Sequence, residues 1–551
     1  MTWDADTFTE LIMEPDSIPD LLAQFATRLT SAIKASDLGA NVTLISPTFS
    51  ESSQSVMAMG GINVALNTKG ENDSVDKHYQ DTINSGCEIN DSKSVLKLTY
   101  DASKIVKWLE NIGVSFTRDD GNIDLRYFGG QKFARTAYAG ARTGKQIVTA
   151  LTALCRKKEA EDKVKRYVGW RFLSLILDNN QCLGVICINE DTQEIKAFTG
   201  SVILASGGLN KLFGKTSGSV LNDGYVTAKA LIQGVRLANL EMIQYHPTTV
   251  KTPSKRMLIT EAARGEGGNL YVNQNGEKYY FMKEWYPEMA ELMPRDVVSR
   301  SIYKASRGGK NQVYLDISHL SEDTVKIKLD EVYEVCTRYL NIDPTCDAIP
   351  VYPGVHYFMG GIKTDENHKT NIEGLFAAGE CSCQYHGANR LGGNSLLGAI
   401  HGGYIAAQNV VLEEYFNPDV VFNSLKNQID SFNSWKDSFD GELLSTIEDK
   451  LANIMNTSMG IYRNETELYG ALKQLDTLNC DVNTNSSYYD YVKIKNLTTL
   501  ARACILSAIE RKESRGAHQR EEYLQTKEEY RKITCIDYDG EIKISFEELD
   551  E

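Results

Sequence analysis

The chain has 551 residues, 42% of them hydrophobic and 24% charged, with a formal net charge of −15. That length exceeds a single core and predicts roughly two to four domains of an ordinary globular protein. The negative balance argues against a nucleic-acid backbone or an anionic membrane surface as a direct partner. The 11 cysteines are scattered, the closest pair being Cys381 and Cys383, so neither a zinc nor an iron–sulfur ligand set is expected. An odd cysteine count behind the acidic start Met1-Thr-Trp-Asp-Ala-Asp, with no leader pattern, predicts a reducing, cytoplasmic setting. No apolar run approaches the ~20 residues that a bilayer span requires.

Residues 20–46 carry the pattern of a βαβ opening: a short run at Asp20–Phe25, a helix through Ile33, and a strand that follows Gly39 and ends at Ser46. A dinucleotide fold asks for G-x-G-x-x-G in the first turn, where a pyrophosphate needs close backbone approach. Counting back from Gly39, those positions hold Ala23, Phe25 and Arg28. The phenylalanine is expected to obstruct a pyrophosphate and Arg28 to disturb helix–strand packing, unless the loop is rebuilt and the Arg28 charge compensates. Ser50–Ala65 is a small-residue loop containing Gly60-Gly61. Residues 100–113 read as an amphipathic helix with a core face at Ile105, Trp108, Leu109 and Ile112. Val202–Gly208 reads as a buried strand ending in small residues, Gly207 among them, and Asn222-Asp223-Gly224 opens a helix over Tyr225–Gln233.

Four short words follow. Gln244–Thr249 sets His246 before a proline, which favours extended backbone. Leu258–Gly268 places Thr260, Glu261 and Arg264 close together, and Met293–Ser299 starts a helix at Pro294 with Arg295 behind it. Tyr352–Gly361 supplies His356. Taken singly, each histidine reads better as a hydrogen-bonded structural residue, and Arg295 as an ion pair in a first helical turn. Gly374–Glu380 is an apolar run suited to a parallel sheet covered on both faces, which sets Glu380 at a carboxyl strand end, where such sheets bind ligands. The glycine-rich loop His386–Leu397 offers backbone N–H groups and a helix start to an anion or a carbonyl. Arg390 within it is a planar carboxylate clamp. From Asn423 the periodicity is helical, after a linker at Phe416-Asn-Pro-Asp.

Gly374–Glu380 together with His386–Leu397 closely resembles the C-terminal flavin signature of the succinate dehydrogenase / fumarate reductase flavoprotein family, which also contains L-aspartate oxidase. The resemblance covers roughly residues 30–530 and fails at the first turn. It implies an α/β fold: an FAD-binding Rossmann-like domain (15–240 and 350–415), an inserted α+β capping domain (241–349) and a C-terminal helical bundle (416–551). It implies FAD against Ser46, Gly60, Gly61, Gly207 and Asp223, with Glu380 on the ribityl chain and Asn394, Ser395 and Leu396 beside the isoalloxazine ring. The position of the family's covalent-flavin histidine falls on Gln54, which implies non-covalent FAD, a lower potential and fumarate reduction over succinate oxidation. The implied substrate is a C4-dicarboxylate, fumarate or succinate, held by His246, Thr260, His356 and Arg390. Flavin N5 would deliver hydride, and Arg295 the proton, refilled through Arg264 and Glu261.

An iron–sulfur subunit is the implied electron partner, leaving the chain peripheral to a membrane at most. The charged word Arg511–Arg520 is expected to fold back with several charges paired. L-aspartate oxidase is an alternative, against which the Arg126–Tyr138 loop resembles the fumarate reductase form. A flavin-free binding or assembly subunit is a third reading, resting on Ala23, Phe25 and Arg28.

Overall fold

The computed structural model describes residues 20–23, 25–48, 60–140, 143–219, 221–252, 256–410, 417–436, 442–481 and 487–549; of residues 20–23 and 25 it describes the backbone alone. Gln54 and most of the Ser50–Ala65 loop therefore lie outside the described residues, as do the side chains of Ala23 and Phe25.

Five strands form a parallel sheet: β1 (Asp20–Ala23), β2 (Val42–Ser46), β3 (Val164–Val168), β4 (Val202–Ala205) and β5 (Leu375–Ala377), in the order β5-β4-β1-β2-β3. Leu22 stands between Leu204 and Ile45 in register. Every residue of β2, β4 and β5 is buried, as expected of strands covered on both faces. The helix α1 (Phe25–Asp37) returns β1 to β2 and buries Ala26, Leu29, Ala32 and Ile33. Arg28 does not break that packing. Its side chain is buried, and its guanidinium donates to the Ile45 carbonyl at 3.5 Å. Burial and the neighbouring Arg166 charge pull its pKa down to about 9.

Two helices pack on each other, α2 (Val75–Ser85) and α3 (Ser92–Asn111), each begun by a side-chain cap. Ser74 accepts from Lys77 N and Asp91 from Ser94 N, satisfying otherwise unpaired first-turn donors. The apolar periodicity at 105–112 marks only the second half of α3; the Asp91 cap starts it earlier.

Between β4 and β5 the chain builds a second, antiparallel sheet of six strands. Their order is Arg256–Leu258, Ile243–Lys251, Ile349–Phe358, Val313–Asp316, Asn269–Gln274 and Glu277–Tyr279. The helix α4 (Arg295–Ala305) lies on it, with Ser299 Oγ donating to the Tyr245 carbonyl at 2.9 Å. This unit has its own core, including Val250, Ile259, Leu270, Phe281, Val298 and Leu315. After β5 the helix α5 (Asn394–Asn409) packs along α1. It begins at Asn394 because Gly393, at φ +84°, makes the left-handed turn that admits Asn394 to the first helical position.

The C-terminal region holds Leu444–Ser458, Glu465–Thr477 and α6 (Tyr488–Glu510), followed by the hairpin Lys532–Tyr538/Ile542–Glu548. The word Arg511–Arg520 is folded in. Arg511 is fully buried, bonding Glu241 at 2.7 Å and Glu513 at 2.9 Å, and Arg515 bonds Glu513 at 2.8 Å. Among the described residues no helix is long and apolar enough to cross a membrane.

Candidate active site

The four middle words converge on one buried carboxylate. Glu261, 3% exposed, accepts at Oε2 from Arg295 Nε (3.0 Å) and Nη2 (2.7 Å), and at Oε1 from Arg264 Nη2 (2.8 Å). Burial alone would raise its pKa, but Arg295 and Arg264 outweigh burial and hold it at about 2. Arg264 loses more to desolvation than Glu261 returns, so its own pKa falls. Two glycines let backbone reach this carboxylate: a Cβ on Gly129 would meet Glu261 Oε1 at 2.5 Å, and one on Gly392 would meet Oε2 at 3.1 Å. The loop after β5 and the Phe128–Gly130 turn are thereby both pressed against Glu261.

Arg390 joins the group through a residue that the sequence reading passed over. Gln244 is fully buried. Its Oε1 accepts from Arg295 Nη1 at 3.2 Å and from Arg390 Nη2 at 3.0 Å, while its Nε2 donates to Asn389 Oδ1 and the Arg390 carbonyl. One carboxamide thus holds two guanidiniums side by side. Arg390 lies 4.3 Å from the centre of the Tyr357 ring. Burial first, and then Arg295, bring its pKa down to about 9.

His246 is buried and accepts at Nδ1 from Thr248 N (3.2 Å), so its proton sits on Nε2. Among the described residues that Nε2–H has no partner, and neither has Nε of Arg390. The His356 ring lies 5.1 Å from that of His246, with Nδ1 bonded to Ser217 at 2.9 Å. Desolvation, then neighbouring positive groups, hold both histidines well below the ordinary value, so both are neutral. Thr260 is buried beside Glu261, its hydroxyl accepting from Ala262 N.

The residues read as flavin contacts occupy several places. Glu380 follows β5 closely and accepts from Phe358 N at 3.2 Å; Gly207 turns at φ +82°, and a Cβ on Gly208 would meet Glu380 Oε1 at 2.6 Å. Gly60 packs on the Phe128 ring, and a Cβ on Gly61 would strike the Ala137 carbonyl. Ser395 and Leu396 open α5. Asn394 is committed inward: its Oδ1 accepts from Asn63 Nδ2 (2.7 Å) and His78 Nε2 (3.0 Å), and its Nδ2 donates to Thr82. Ser46 bonds Thr48, and Asp223 bonds Tyr489 of α6 at 2.7 Å.

Residues 28–396 match the family model described as FAD binding domain, and residues 448–551 that described as fumarate reductase flavoprotein C-term. The chain belongs to the succinate dehydrogenase / fumarate reductase flavoprotein family. It is 36% identical over 530 residues to the succinate dehydrogenase flavoprotein subunit of Bacillus subtilis, covering 90% of this chain and 89% of that one. It is 34% identical over 528 residues to the 8-methylmenaquinol:fumarate reductase flavoprotein subunit of Wolinella succinogenes, covering 90% and 84%. A solved E. coli quinol fumarate reductase chain superposes with a TM-score of 0.90 at 28% identity, over 97% of this chain and 96% of that one. The architecture is therefore the flavoprotein one, a Rossmann-like FAD domain with an inserted α+β cap and a helical C-terminal domain.

Members of this family are FAD-dependent oxidoreductases, and FAD is the cofactor here. The local structure fits it: a buried carboxylate at a parallel strand end, glycines with no room for a Cβ beside it, and a helix start behind a left-handed glycine. The matched region begins at Arg28, the last of the three non-glycine positions, and leaves out Ala23 and Phe25.

Proposed function

We propose that this flavoprotein interconverts fumarate and succinate on non-covalent FAD, working as a fumarate reductase. The observation that carries this is the pair of buried donors, His246 Nε2–H and Arg390 Nε–H, that have no partner among the described residues and lie beside the Arg264–Glu261–Arg295 chain. Each unpaired buried donor costs about 1–3 kcal/mol, and a substrate carboxylate accepts from both. His356 and Thr260 complete the grip on the C4-dicarboxylate. FAD, held by Ser46, Gly60, Gly61, Gly207, Asp223, Glu380 and the Asn394–Leu396 helix start, supplies hydride chemistry when bound.

Neutral histidines and Arg390 hold the carboxylate out of water, which polarises the alkene towards reduction. Arg295 donates the proton at the second carbon. Glu261 bonds both arginines and transfers a proton from Arg264 back to Arg295. The unit 241–349 caps the site and excludes water. Glutamine at position 54, where the family's covalent relatives carry histidine, supports non-covalent flavin. An iron–sulfur subunit delivers the electrons, a reading supported by relatives that are themselves named as flavoprotein subunits.

The test is turnover of the FAD-loaded chain, with reduced viologen as the electron donor to fumarate and oxygen as the electron acceptor from L-aspartate. Fumarate consumption without L-aspartate oxidation is expected; L-aspartate oxidation without fumarate turnover would overturn the reading.

A further inference from the structure

A line of four hydrogen bonds enters the flavin domain where the reaction makes no use of it. Asp101 of α3, its side chain 31% exposed, has Oδ2 3.2 Å from Nε2 of His401 on α5. His401 Nδ1 is 2.9 Å from Tyr385 Oη, which is 2.6 Å from His368 Nε2. His368 Nδ1 is 2.8 Å from the carbonyl oxygen of Ala377, the last residue of β5. Both histidines and the tyrosine are buried. Gly402 makes room for the line, since a Cβ there would meet His368 Cε1 at 2.9 Å. Gln384 Nε2 stands 3.0 and 3.1 Å from the two nitrogens of His368. A point so nearly equidistant lies over the ring face, because in the ring plane it would collide with Cε1, so it takes neither N–H line.

The protons can be counted. The Ala377 carbonyl and an ionised Asp101 only accept, while two neutral imidazoles and one phenol supply one proton each. Three protons face four bonds. We infer that Asp101, His401, Tyr385 and His368 form a binding site for one further proton, shared between Asp101 and His401, and that only the protonated line makes all four bonds. With that proton in place His401 Nδ1–H donates to Tyr385, Tyr385 to His368 Nε2, and His368 Nδ1–H to Ala377. Without it, one close pair of heteroatoms has no hydrogen between them.

The surrounding charges set where the proton enters. Lys97 and Lys104 of α3 oppose positive charge on His401, and Lys97 also opposes it on His368. Asp91, Asp101 and Tyr357 face Tyr385. Burial drives His368 down to about 3 and His401 below its ordinary value, while the His401 hydrogen bond lowers Asp101. The proton therefore enters at the Asp101–His401 end, on the acid side of an ordinary histidine. Its uptake is tied to the last carbonyl of β5, just ahead of Glu380.

The test uses the full-length FAD-loaded protein with isotope-labelled histidine, the ring nitrogens followed by two-bond proton–nitrogen correlation from about pH 8 to about pH 5. His401 is assigned by its absence from His401→Gln. One protonation step at the His401 nitrogens is expected in the parent protein. Asp101→Asn should abolish it, because the amide donates to His401 Nε2 without titrating, leaving the Nδ1–H tautomer at every pH. Tyr385→Phe leaves two bonds for two protons and should weaken proton binding by about tenfold or more, a shift of one pH unit or more. No step in the parent protein would overturn the proposal, as would a step in Asp101→Asn matching the parent's; the latter variant changes a partly exposed side chain and decides the matter if Tyr385→Phe fails to fold.

Discussion

Replacing Glu261 by glutamine perturbs the cap where its charges meet. The carboxylate takes three charge-assisted hydrogen bonds, two from Arg295 and one from Arg264. Such bonds contribute about 1.5–3 kcal/mol each. Glutamine keeps one carbonyl oxygen, so Arg295 retains its two bonds at roughly half strength and Arg264 faces an amide N–H. The net loss is about 4 kcal/mol, within the ~3–5 kcal/mol typical of breaking a buried pair. The pKa gives a second route to that figure: depression from 4.5 to about 2 corresponds, at about 1.4 kcal/mol per unit, to about 3 kcal/mol.

A depressed carboxyl pKa contributes stability above its unfolded value and loses it as pH falls towards the folded one. The gap between parent and Glu261→Gln should thus be full at pH 7 and shrink by about 2 kcal/mol, to roughly half, by about pH 3. Hydrogen exchange of peptides spanning 256–305, read as an opening free energy, measures it. A gap under about 1 kcal/mol at pH 7 refutes the reasoning, and so does one of equal size at both pH values.

Gly208→Ala drives a methyl group into Glu380 Oε1 and Phe358 Cδ2, at 2.6 and 2.9 Å. Flavin retention, followed by absorbance during dialysis, should weaken by about tenfold or more; unchanged retention would separate Glu380 from the cofactor. His246 and His356 are neutral, well below their ordinary pKa, so the KM for fumarate should show no histidine step as pH rises through about 6.5. A steep loss of affinity there would mean that one of them binds as a cation. Acid precipitation should release all of the flavin into solution; flavin left on the polypeptide would contradict the non-covalent reading of Gln54.

Much of the site was legible because short words stay local. The strand that sets Glu380, the clustering of Thr260, Glu261 and Arg264, and the helix start at Pro294 each depend on residues a few positions apart. What escaped was long-range. Gln244 reads as an ordinary polar strand residue until the fold brings Arg390 and Arg295 to one oxygen. Gly129 looked like a loop glycine, and only its approach to Glu261 explains the missing side chain. Asn394 stood in the flavin word, but its side chain turns inward to Asn63, His78 and Thr82, a network that no local pattern announces. One helix start moved because a cap outweighed hydrophobic periodicity, at Asp91. Arg28 was expected to disturb α1, yet the interior accommodates its guanidinium against the Ile45 carbonyl.

The central claim is that Arg295 hands a proton to a dicarboxylate that Arg390 and the neutral histidines hold. Arg295→Lys keeps a positive charge but loses the fork that reaches Glu261 and Gln244 together. Measured side by side on the FAD-loaded chain, fumarate reduction should fall by about 10²–10⁴-fold, while dicarboxylate binding, read from the flavin spectrum, should change by less than about tenfold. Turnover that survives the substitution, with binding intact, would contradict the account.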